Sequence, residues 1–71
     1  MANREPTTAN AILEAALARE EEALAFYAGL ADRCRIDVVR KLLERLKDEE
    51  SRHVRLIRDL ISKLNFGKDI V

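Results

Sequence analysis

The sequence predicts an all-α protein: an antiparallel two-helix hairpin that completes a four-helix bundle by dimerisation. Three observations carry this. The 71 residues include only two Gly and one Pro, against many Ala, Leu, Glu, Arg and Lys, which are good helix formers. Two stretches of helical apolar periodicity are separated by one break, at residues 33–37. A pair of helices leaves its apolar faces open on one side. A chain this short is also marginal alone unless a disulfide, a metal or a partner subunit supports it. Packing two hairpins together closes the open side.

The first helix should start at Pro6-Thr7-Thr8, where Thr7 or Thr8 can cap, and run from about residue 8 to 32. Arg33-Cys34-Arg35-Ile36-Asp37 breaks the pattern, and Asp37 is the expected N-cap of the next helix. The second helix should run from about Val38 to Leu64. Asn65-Phe66-Gly67 reads as its stop, because Gly67 can take a left-handed conformation there. Residues 65–71 are then a loose tail, and residues 1–71 form a single domain.

Several function classes fall away on composition. Thirteen Lys plus Arg balance thirteen Asp plus Glu, so nothing draws the chain to nucleic acid or to an anionic membrane. Arg33, Arg35, Arg40, Lys41 and Arg45 gather near the turn, but acidic residues intervene and no aromatic is interleaved. No apolar run is long enough to span a bilayer, and MANREPTTAN lacks the apolar core of a signal peptide. Cys34 is the only cysteine, which excludes an internal disulfide and makes a reduced, cytoplasmic protein the default.

The apolar stripes contain the informative exceptions. In the second helix Val39, Leu43, Leu46, Glu50, His53, Ile57, Leu60 and Leu64 alternate steps of four and three, a heptad stripe with two ionisable members. In the first helix Leu13, Leu17, Glu20, Leu24, Tyr27 and Ala31 follow the same rule, with Glu20 in the middle. Glu20 and Glu50 lie 15 residues either side of Arg35, so an antiparallel hairpin brings them to one level, with His53 one turn further on.

Ionised carboxylates at one depth of an apolar seam cost several kcal/mol each and repel one another. A two-fold axis doubles the set to four Glu and two His, a formal charge of −4 that two divalent cations cancel. Oxygen and imidazole donors suit Fe or Mn. Glu50-Ser51-Arg52-His53 is a Glu-x-x-His, whose i, i+3 spacing puts both groups on one helix face. Taken singly, a Glu-x-x-His or a Glu on an apolar stripe is weak evidence; the convergence of three such residues is the stronger signal.

Glu20-Glu21-Glu22-Ala23-Leu24-Ala25-Phe26-Tyr27 resembles the first metal-binding helix of rubrerythrins and other ferritin-like proteins, and Asp48-Glu49-Glu50-Ser51-Arg52-His53 resembles the second. The layout is similar to the half-size branch, the encapsulated ferritins, over roughly residues 11 to 62. The resemblance implies a di-iron ferroxidase with Glu20, Glu50 and His53 as iron ligands, two Fe per dimer at a subunit interface, with Mn as the alternative metal. It implies iron storage or detoxification by oxidation of Fe(II) to Fe(III). Glu22 would match an outer carboxylate on the metal's access route, and Tyr27 a nearby redox-active phenol, with a core Tyr as the equal alternative. Glu21 and Glu49 read as solvated helix-face charges.

Departures from the pattern are visible too. Arg19 stands where some encapsulated ferritins carry another acidic residue, and no Cys-x-x-Cys pair is present for a rubredoxin-type donor. Residues 64–71 carry an apolar pair around Gly67, similar to an encapsulin-targeting peptide, although a helix stop is the preferred reading. The implied partners are a second copy or a ring of dimers, and an encapsulin shell. The competing readings are a non-catalytic helical oligomerisation module, in which Glu20, Glu50 and His53 fix the pairing, and a dimanganese or structural metal site.

Overall fold

The computed structural model describes residues 8–70, with side-chain surroundings through residue 66. Two helices make up the described chain: α1 spans Ala9–Arg33 and α2 spans Asp37–Ile70, packed side by side as an antiparallel hairpin.

The start of α1 follows from Thr8. Its backbone is extended, its Oγ1 accepts the Ala11 N–H at 3.1 Å, and its carbonyl accepts the Ile12 N–H. Two groups of the first turn are thereby satisfied. The other cap candidate, Thr7, lies outside the described residues. At the far end Cys34 turns extended and donates its N–H to the Ala31 carbonyl, with Arg33 placed against the negative end of the helix.

The turn is shorter than expected, only residues 34–36. The Ile36 carbonyl accepts the Arg40 N–H at 2.8 Å, which gives Ile36 the capping position. Asp37, expected as the cap, is instead the first helical residue, and its carboxylate accepts from the Arg40 guanidinium at 2.9 Å. Its charge still lies beside the positive end of the helix.

A larger correction concerns the C-terminal end. The expected stop at residues 65–67 is not used, and α2 continues to Ile70. Gly inside a helix costs only about 1 kcal/mol relative to Ala, and no Pro follows Gly67 to enforce an end. The tail expected to be loose, and likened to a targeting peptide, is therefore helical as far as residue 70. Val71 lies outside the described residues.

The long axis of the molecule, 52 Å, is the length of α2: 34 residues at about 1.5 Å each. The shortest extent, 12 Å, is one helix diameter, so the hairpin is a single layer. The buried core among the described residues is accordingly small, Ala31 at 7% exposure and Val54 at 5%. Leu13, Leu17 and Leu24 of α1 and Leu43, Ile57 and Ile61 of α2 are half-covered beside it.

The heptad stripe of α2 divides between two sides. Leu43, Leu46, Glu50 and Ile57 are half-covered, while Val39, His53, Leu60 and Leu64 are exposed. Val54, which that stripe omits, is the most buried residue of α2. Ile12 and Phe26 of α1 and Leu42, Leu56 and Leu60 of α2 are also exposed. At 100° per residue these positions fall on matching sides of the two antiparallel helices, so one face of the layer carries most of the uncovered apolar side chains, with Arg19 and Glu49 among them. No described helix is long and apolar enough to cross a membrane.

Candidate metal centre

Glu20 lies near the middle of α1, Glu50 near the middle of α2, and His53 one turn after Glu50. Apolar positions precede and follow each of them on its helix, so the three form a polar break at mid-height of the hairpin. His53 Nδ1 stands 3.3 Å from a Glu20 carboxylate oxygen across the helix pair and 3.3 Å from a Glu50 oxygen on its own helix. One ligand atom from each residue lies within 4.8 Å of the other two. Both carboxylates turn in between the helices, their side chains 32% (Glu20) and 21% (Glu50) exposed. His53 stands at the uncovered edge with its side chain 50% exposed.

The three groups divide their protons unequally. Hydrogen bonding with Glu50 holds the Glu20 carboxyl below its ordinary range, against the push from burial and with smaller help from His53. Glu50 moves the other way, raised first by its hydrogen bond with Glu20, then by burial and by the Glu20 charge. Hydrogen bonds to Glu20 and Glu50 raise His53 above its ordinary value. Two ionised carboxylates this close repel one another, which drives their pKa values apart. A cation between them would offset that repulsion.

The donor set fits such an ion. Two carboxylate oxygens and one imidazole nitrogen suit Fe or Mn rather than a thiophilic metal. One hairpin supplies three donors, too few to complete the shell of an ion that takes about six ligands, and the side left open is the uncovered apolar face.

The other sequence candidates stand apart from this cluster. Glu22 is mostly exposed and pairs with Arg19 at 3.8 Å on the same helix. Tyr27 is half-covered, and its ring meets Phe26 edge-on with centroids 5.5 Å apart. Glu21, read from the sequence as a solvated charge, instead accepts a hydrogen bond from the Arg58 guanidinium across the hairpin. No spacing rule links positions 37 residues apart, and the pair does not share a level of the hairpin, since Glu21 lies 14 residues before Arg35 and Arg58 lies 23 after it. A surface cleft of about 490 Å³ opens at the turn, among Asp32, Cys34, Arg35, Arg40 and Glu44. Its mixed charges favour no single ligand, and it does not include the three-residue cluster.

Comparison with known proteins bears on the whole of this region. The family model described as Rubrerythrin matches residues 11–71, which takes in both helices and all three clustered residues. No curated protein and no solved structure matches the chain.

Proposed function

This chain belongs to the rubrerythrin family, and from that premise we propose that it is a di-iron ferroxidase whose centre is shared between two copies. The observation that carries the reading is the meeting of Glu20, Glu50 and His53 at one point in the middle of a largely apolar seam. Rubrerythrin-type domains bind iron, and the donor types here are the ones such an ion takes.

A second copy packed on the uncovered face supplies the remaining donors. Related by a two-fold axis, the two hairpins close a four-helix bundle and bury Leu42, Leu56, Leu60 and Phe26. Bound iron supplies one-electron chemistry toward dioxygen or peroxide. The chain's own residues do the rest. Glu20 and Glu50 would hold the iron through their carboxylate oxygens. His53 offers Nδ1, the ring nitrogen that already faces both carboxylates. Protons compete with the ion for His53 and Glu50, both raised above their ordinary values, so the centre fills more readily as pH rises.

The test is anaerobic loading with Fe(II), followed by metal analysis and mass in solution. About one iron per chain and a metal-dependent shift to dimer or larger are expected. Air is then admitted, and the ferric absorbance is followed in wild type, Glu20→Ala and His53→Ala; both variants should lose the fast phase. Assembly without bound metal would support the oligomerisation module instead. Oxidation in Glu20→Ala as fast as in wild type would remove the proposed centre.

A further inference from the structure

We propose that Glu21 and Arg58 are positioning residues for the Glu20–Glu50–His53 centre, holding the two helices in the axial register at which the carboxylates meet. The inference rests on the metal-binding reading above and adds to it two residues outside the cluster.

The core gives little resistance to sliding. Ala31 and Val54 are the buried residues among those described, and the rest of the seam is largely half-covered Ala, Leu and Ile. Such a surface favours contact but weakly distinguishes one axial offset from the next. A slip by one residue moves one helix along the other by about 1.5 Å and rotates its side chains by about 100°. That motion would carry Glu20 away from His53, whose separation is now 3.3 Å.

Polar links resist it, because their geometry is directional. Among the described residues three hydrogen-bonded links join α1 to α2: Asn10 to Asn65 at the open end, Glu20 to His53, and Glu21 to Arg58. The first lies ten residues from Glu20 along α1. The second belongs to the centre itself and must be given up, in part, when an ion binds there. Arg58 and Glu21 thus form the link beside the centre that survives its loading. Glu21 adjoins Glu20 in the chain and projects about 100° around the helix from it. Arg58 lies one turn beyond Val54, on the same face of α2. The pair closes the edge of the hairpin beyond Val54, while His53 stands at the uncovered edge.

The experiment compares wild type, Glu21→Gln, Arg58→Gln and the exchanged pair Glu21→Arg with Arg58→Glu. Fe(II) affinity is measured anaerobically by calorimetry. An exposed pair of this kind contributes up to about 1 kcal/mol, so each single variant should bind roughly threefold to fivefold more weakly. The exchanged pair should return to within about twofold of wild type, which mere loss of helix stability would not produce. A second readout uses no metal: the nuclear Overhauser contact between the His53 ring and the Glu20 side chain should weaken in Glu21→Gln and return in the exchanged pair. Single variants that bind iron and keep that contact like wild type would overturn the proposal, as would an exchanged pair that restores neither. If wild type binds no iron, the functional reading fails, and the metal-free contact still decides the positioning claim.

Discussion

His53 Nδ1 on α2 and the Glu20 carboxylate on α1 meet at 3.3 Å, although 33 residues separate them in the chain. Without metal, this contact and its Glu50 counterpart set how the hairpin responds to pH. His53 is raised above 6.5 in the folded chain, so its contribution is fully present below about pH 6.5 and is lost as pH rises through the folded value. Glu50, raised above 4.5, adds a loss in the same direction that begins at lower pH. Glu20, lowered below 4.5, contributes stability above that value and loses it as pH falls through its folded value.

Metal-free protein should therefore melt at a lower temperature at pH 8 than at pH 6, and His53→Gln should flatten much of that slope. Circular dichroism melts across the range check it. A rising melting temperature from pH 6 to pH 8 in wild type would contradict the assigned directions. Iron-loaded protein should show the opposite trend, because rising pH removes the protons that compete with the ion.

Val54 is the largest side chain in the buried core, at 5% exposure. Val54→Ala should cost on the order of 1–2 kcal/mol, read as a lower urea midpoint. Leu64→Ala, at an exposed position on the same helix, should cost the metal-free hairpin much less. Equal effects from the two would mean that the helices pack through a different stripe.

Leu60→Glu places a charge on the uncovered apolar face. It should leave helix content within about 10% of wild type while holding the chain monomeric in sedimentation equilibrium and lowering iron per chain. A variant that assembles like wild type would exclude this face as the contact between copies.

Much of this arrangement was legible in the sequence. Glu20 and Glu50 reach one level because the chain between them is two helical arms of equal length, and that symmetry is read directly from positions 20, 35 and 50. The packing face of α2 was less legible. A strict alternation of four and three averages 3.5 residues per turn, against 3.6 in a straight helix, so the stripe drifts by about 20° every seven residues. Over the length of α2 it wanders from the side facing α1 toward the uncovered side, and Val54 falls off it. The Glu21–Arg58 pair is not legible there, because a long, flexible guanidinium reaches partners beyond its own level, which no periodicity records. Nor is the C-terminal end legible, because one Gly weakens a helix without ending it.

A molecule 12 Å thick has two outsides and almost no inside. If two such plates make the chamber that iron requires, each carries half of every lock, and abundance becomes part of the chemistry. Dilute chains would hold iron loosely and crowded ones tightly, so the cell could set its capacity to sequester the metal simply by how much of this small chain it synthesises.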